Sequence, residues 1–156
     1  MHPNEELISR FYSGFASGDH ETMAASYADD ASFSDPVFPS LSADEVRAMW
    51  RMFTTSGNDI DVTFSDVKAD DLAGSARWEA VYRFPKTGRK VHNKIRASFT
   101  FRDGKIVRHE DHFDLYAWTR MALGPMGVVL GWTPLLKGQV RKQAASQLRH
   151  FRTRER

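Results

Sequence analysis

The 156 residues suffice for one domain with a substantial core, and the absence of cysteine excludes disulfides and thiolate metal sites. Residues 137–156 hold seven Lys/Arg and one Asp/Glu, a net +6, so within a total of +2 residues 1–136 carry −4. A mildly acidic body with a basic tail argues against a nucleic-acid-binding core. No apolar run approaches the ~20 residues of a membrane span, and Met1–Glu6 does not open a signal peptide, so a cytoplasmic protein is expected.

Pro3 suits a first helical position. Leu7, Ile8, Phe11, Tyr12 and Phe15 recur at helical spacing until Gly18 stops the helix. Asp19 is expected to cap a short second helix carrying Met23 and Tyr27. Ala31 to Pro36 reads as a brief strand halted by proline. Ser42-x-x-Glu45 forms a capping-box pattern, and Val46, Met49, Trp50 and Phe53 share one helical face before Gly57.

From there the period becomes two. Ile60, Val62 and Phe64 alternate with polar residues; so do Trp78, Ala80, Tyr82 and Phe84; and so do Val91, Asn93, Ile95, Ala97, Phe99 and Phe101. One apolar and one charged face per strand implies an antiparallel sheet covered on one side. Three helices followed by a curved meander make an α+β fold. The charged face, with Arg77, Glu79, Arg83, Lys94 and Arg96, is either solvated or shared with a second subunit.

The stretch Ile106 to Asp114 holds two histidines and three carboxylates within six residues. Its alternation splits it into two faces, and the Asp103-Gly104 turn decides which one is buried. A two-residue loop would pair Ala97 with Glu110; a three-residue loop would pair Ala97 with His109. The second register buries Val107, His109, Asp111 and Phe113 and desolvates fewer charges, so it is the one expected.

Beyond it, Trp118 to Leu123 suggests a helical turn ending at Gly124-Pro125. Gly127 to Trp132 is apolar but too short to span a bilayer. Leu135, Leu136, Val140, Ala144, Leu148 and Phe151 recur at helical spacing opposite basic residues. Packing on the domain or on a second subunit is expected over contact with an anionic membrane.

Two runs carry a family resemblance. Phe15-Ala16-Ser17-Gly18-Asp19 with Tyr27 to Val37, and Asp103-Gly104-Lys105-Ile106 with Asp111 to Leu115, resemble the SnoaL-like, nuclear-transport-factor-2-like superfamily, which includes the ketosteroid isomerases. The resemblance covers about residues 4–118 and places the domain at 1–118, with a basic helical extension over 119–156. It implies three N-terminal helices on a curved antiparallel sheet, forming a cone with a deep apolar pocket, and a homodimer, expected through the outer sheet face. Asp35 falls on the isomerases' general base. Their oxyanion-hole positions read Phe11 and Ala97 here, which disfavours that isomerisation; Tyr12 lies about 100° around the helix and does not replace the lost hydroxyl. The third-strand Arg-x-Asp pair of limonene epoxide hydrolases is also missing, whereas a histidine and an aspartate, as in SnoaL-type cyclases, are present.

The expected catalytic set is Asp35 as base, His109 as acid or donor and Asp111 as its orienter, because burial raises a carboxylate's pKa and lowers a histidine's. Phe11, Tyr12, Phe15, Trp50, Phe53, Trp78, Tyr82, Ala97, Phe99 and Phe113 are the expected lining for a small hydrophobic molecule. No cofactor is expected. No metal is expected either, since no third ligand accompanies His109 and Asp111. The leading functional expectation is proton transfer on a hydrophobic substrate, and the alternative is a non-catalytic binding module on the same fold.

Overall fold

The computed structural model describes residues 1–55 and 59–155. Helix α1 (Pro3–Ser17) ends at Gly18, whose φ of 76° lets its N–H return to the Gly14 and Phe15 carbonyls. Asp19 caps α2 (His20–Ala25), and the Ser42/Glu45 capping box opens α3 (Ala43–Thr55) through reciprocal bonds of 3.0 and 3.3 Å. The stop expected at Gly57 lies outside the described residues.

Strands β1 (Tyr27–Ser34), β2 (Leu41–Ser42), β3 (Asp61–Ala69), β4 (Ala73–Arg83), β5 (Lys90–Arg102) and β6 (Lys105–His112) form one sheet in the order β2-β1-β6-β5-β4-β3. The β3–β6 meander is antiparallel, and β1 joins its far side parallel to β6. Along β5 every second residue is buried, and α1 and α3 cover that face with Ile8, Phe11, Tyr12, Val46, Met49 and Trp50. Tyr27 opens β1 rather than closing the second helix, because α2 ends at Ala25 and Ser26 caps it.

The β5–β6 register keeps the expected inward face by another route. The loop has two residues, Asp103 and Gly104, both at positive φ (52° and 74°), with Arg102 paired to Lys105. That loop alone would have turned His109 outward. A bulge between the Phe101–Ile106 and Thr100–Arg108 pairs inserts Val107 and restores the parity. Ala97 therefore faces Asp111 and Phe99 faces His109, and the buried residue next to the turn is Ile106 rather than the expected Val107.

Three further helices follow: α4 (Leu115–Leu123), α5 (Pro125–Leu130) and α6 (Pro134–Arg154). α4 seals a second apolar cluster of Val91, Leu115, Trp118 and Ala122 at the β4–β5 end of the sheet. α6 returns across the domain and sinks Leu148 into the main core. Arg51 grips Glu155 with both ends of its guanidinium, Arg141 Nε donates to the Pro36 carbonyl at 2.9 Å, and Lys86 donates to Gln143 at 2.7 Å. The expected packing of this helix on the domain is thus realised against α3.

The α4–α5 joint depends on backbone contact. A Cβ at Gly127 would lie 2.1 Å from the Thr119 carbonyl oxygen, whereas one at Gly138 in α6 would meet nothing within 4 Å. Gly127→Ala should lower stability by about 1–3 kcal/mol through forced separation of the helices. Gly138→Ala should raise it by about 0.5–1 kcal/mol through helix propensity. Chemical denaturation of both variants checks the pair.

Candidate functional site

β6 carries His109 and Asp111 to the inner face, where both are buried. His109 Nδ1 lies 2.8 Å from the Tyr27 hydroxyl, and Nε2 lies 2.9 Å from Asp111 Oδ1. Tyr27 in turn accepts the Trp50 indole N–H at 2.9 Å, and Asp111 Oδ1 accepts a longer contact from the Trp78 indole at 3.4 Å. The donor count fixes the direction of the chain: with its oxygen taking the Trp50 proton, Tyr27 gives its own proton to Nδ1, and the histidine gives its Nε2 proton to Asp111. With the proton on Nε2, His109 satisfies every member, and Asp111 holds the ring through that N–H.

Aromatic rings close in around this line. The His109 ring centroid is 4.4 Å from Phe99, 5.0 Å from Phe33, 5.8 Å from Phe11 and 6.3 Å from Trp50. Tyr12, Phe15, Trp50 and Trp78 pack on one another in the same core. Tyr12 carries the one fully buried side-chain polar atom without a hydrogen-bond partner among the described residues, its hydroxyl. Burial, reinforced by the Asp111 carboxyl, raises both the Tyr12 and Tyr27 phenols well above their ordinary range, so each stays protonated.

Asp35 stands apart from that line. It follows the last residue of β1, and its Oδ1 accepts the Val37 and Phe38 backbone N–H groups at 2.7 and 2.5 Å, an Asx-type turn closed by Asp35 N–H to the Phe38 carbonyl at 2.9 Å. Its Oδ2 makes no hydrogen bond among the described residues. Burial pushes the carboxyl up from 3.8 to about 7 against the lowering effect of the Phe38 N–H, and the Asp111 charge adds to the rise. Its neighbourhood is the seam between the two apolar clusters, to which Val37, Tyr82 and Phe113 all belong. Tyr82 accepts the Trp118 indole N–H at 2.8 Å, and Arg141 of α6 reaches the carbonyl of Pro36 beside it. Burial, with a smaller push from Asp35, raises the Tyr82 phenol.

The three expected catalytic residues therefore occupy two environments. His109 and Asp111 form one bonded pair inside the core, while Asp35 lies at the seam under α4 and α6 and feels Asp111 electrostatically. Of the expected lining, Phe11, Tyr12, Phe15, Trp50, Trp78, Ala97 and Phe99 are core, and Tyr82 and Phe113 bridge to the second cluster. Phe15 and Phe53 also line a surface depression of about 390 Å³ with Thr54, Asp59, Ile60 and Asp61. Among the described residues no three His, Asp or Glu side chains gather to hold an ion. Sequence reasoning missed Tyr27 and Trp118. Tyr27 was hidden by the irregular β1–β6 register, which shifts between Tyr27 and Ser32. Trp118 was visible only as an apolar helical residue.

A model of the SnoaL-like domain matches residues 8–109, from α1 to the central histidine of β6. The chain belongs to the SnoaL-like domain family. No curated protein matches this SnoaL-like chain in sequence. Among solved structures, a nuclear-transport-factor-2-like protein of unknown function from Burkholderia pseudomallei is 17% identical, with a TM-score of 0.66 over 78% of this chain and 98% of its own. An epoxide hydrolase of the LEH-like type from M. tuberculosis is 19% identical, with a TM-score of 0.65 over 85% and 96%. IdmH from Streptomyces antibioticus, described as a candidate polyketide cyclase, is 23% identical, with a TM-score of 0.63 over 75% and 96%. At these identities the likeness establishes the fold, with the SnoaL-like cone extended by C-terminal helices.

Two outcomes follow from this geometry. Tyr27→Phe orphans the Trp50 indole N–H and His109 Nδ1 and should cost about 1–3 kcal/mol, whereas Tyr12→Phe removes an unpartnered hydroxyl and should be neutral or stabilising in thermal melts. Asp35 has a folded-state pKa above its unfolded one, so the native state binds its proton more tightly. Its contribution to stability is full below about pH 4 and is lost as pH rises to about 7. Asp35→Asn keeps the turn acceptor and should abolish that slope, gaining roughly 2–4 kcal/mol at pH 8 relative to the parent, read by denaturation across pH.

Proposed function

We propose that this SnoaL-like protein is an acid/base enzyme that needs no redox cofactor and acts on a small hydrophobic molecule, with Asp35 as the general base. The observation that carries this reading is the Asp35 carboxyl: it is held at about 7, with one oxygen fixed by backbone donors and the other unengaged among the described residues. A base of that strength is half-ionised at neutral pH and can both take and return a proton. Its apolar surroundings, Val37, Tyr82, Phe113 and Trp118, suit a substrate with aromatic or alicyclic bulk. The protonated Tyr82 phenol, which accepts from Trp118 and keeps its own proton, is the candidate donor for a developing oxyanion. Trp118 and Arg141 are bonded at this seam, so a substrate reaching Asp35 passes beside α4 and α6. The neighbours described as an epoxide hydrolase and a candidate cyclase support the reaction class by fold analogy only.

A second reading is favoured by a different observation. The His109 ring is enclosed by aromatic rings with both nitrogens engaged, and Phe11 and Ala97 supply no oxyanion donors. That interior suits a non-catalytic binding or interaction module.

The deciding experiment is a screen of hydrophobic enolisable ketones and epoxides for turnover and for binding. Under the enzyme reading, kcat/KM rises with pH through an apparent pKa near 7. Asp35→Asn then loses roughly a hundredfold or more of the rate while ligand binding persists. Binding without turnover, indifferent to Asp35→Asn, overturns the enzyme reading in favour of the module.

A further inference from the structure

The described residues expose eight large apolar side chains, and six of them lie within ten residues at and after α5: Met126, Val128, Val129, Leu130, Trp132 and Leu135. This is an ordered protrusion, not a frayed end. Gly127 and Gly131 press against Thr119, whose side chain is fully buried, and the Tyr116 hydroxyl donates to the Val128 carbonyl at 2.8 Å. The backbone of the tip is thus anchored while its side chains point away from the domain. Trp132, the only tryptophan with a large exposed area, is 64% exposed, against 9% or less for Trp50, Trp78 and Trp118.

The charge along the segment that carries the tip has one sign. From Leu115 through Arg154 the chain contains no Asp or Glu and seven Lys/Arg. At the base of the tip, Arg89, Lys90 and Arg120 line a depression of about 350 Å³ with Ala117 and Met121. The Arg89 guanidinium lies so close to the start of α5 that a Cβ on Gly124 would be 2.9 Å from its central carbon. Arg120 rests over the Tyr116 ring at 4.9 Å, and Lys137 follows the tip on α6. None of Arg89, Lys90, Arg120 or Lys137 makes an ion pair among the described residues.

We propose that the α5 tip docks this protein peripherally on an anionic lipid surface, with Trp132 and its apolar neighbours entering the headgroup boundary and the arginines and lysines at its base meeting lipid phosphates. Three points select that occupant. An unpaired cationic collar around an apolar tip is complementary to an anionic bilayer. Two copies meeting tip to tip by a two-fold axis would instead set these cations against themselves. The six residues of α5 rise only about 9 Å, far short of a span. Tryptophan is also the residue whose ring suits that boundary. No described helix is long and apolar enough to cross a membrane. Docking of the tip is independent of what Asp35 does.

Co-sedimentation of the full chain with vesicles tests the proposal. The protein should pellet with phosphatidylcholine vesicles containing about 30% phosphatidylglycerol, and roughly tenfold more weakly with pure phosphatidylcholine or in high salt. Trp132 emission should shift to the blue and become protected from iodide on binding. The double variant Trp132→Ser, Leu135→Ser, whose side chains bury little, should lose at least about tenfold in affinity while melting like the parent. Arg120→Glu should weaken binding to anionic vesicles alone. Failure to pellet with anionic vesicles overturns the proposal. So does a concentration-dependent dimer that the double variant converts to monomer without any vesicle binding, which would make the tip a protein–protein interface.

Discussion

A single hydrogen-bonded line ties the layers of this domain together: Trp50 on α3, Tyr27 on β1, His109 and Asp111 on β6, and Trp78 on β4. A buried imidazole and carboxyl are costly unless every donor finds an acceptor, and here each member supplies what its neighbour lacks. That requirement dictates geometry well beyond the line itself. β1 must run beside β6 for Tyr27 to reach His109, and α3 must lie where Trp50 can reach Tyr27. The bulge at Val107 must also offset the two-residue turn, or every polar group of β6 would exchange faces.

The same completeness separates structural from chemical roles. A histidine with both nitrogens engaged, and aromatic rings on its faces and edges, has no free atom to offer a substrate without dismantling the bond that positions it. Asp35 is the opposite case. Its turn consumes one oxygen and leaves the other without a hydrogen bond among the described residues, and its high pKa comes from burial at the seam between two apolar clusters. Under the proposed function, proton exchange therefore falls to the carboxyl with an oxygen outside any hydrogen bond among the described residues, the aspartate outside the line.

Much of this was legible in the sequence because periodicity reports burial directly. The unbroken alternation from Lys90 to Arg102 and the helical spacing of Leu7, Ile8, Phe11 and Phe15 each admit one face only. The inward placement of His109 and Asp111 followed from desolvation cost, which is why it held although the assumed loop length did not. Three things were out of reach. A β-bulge leaves no compositional mark in Ile106-Val107-Arg108. The parallel contact of β1 with β6 joins residues some eighty positions apart, so Tyr27 gave no sign of its partner and its spacing from Met23 read as helix. The closing of the Asp35 seam by Trp118 and Arg141 depends on where two C-terminal helices land, which amphipathic spacing does not encode.

Those helices make the extension more than an appendage. α4 seals the β4–β5 end of the sheet with Leu115 and Trp118, and α6 fastens that seal to α3 through Leu148 and the Arg51–Glu155 pair. Between them α5 is held by backbone contact at Thr119 and presents its apolar side chains to the outside. A segment placed merely to complete the core would bury Trp132 and Leu135, since exposed side chains of that size gain nothing from folding. Leaving them outside, on a rigid support within a forty-residue run that holds no acidic residue, is what the proposed lipid contact accounts for. On that proposal the extension serves two ends at once: its buried faces close the candidate site, and its exposed tip supplies the docking surface.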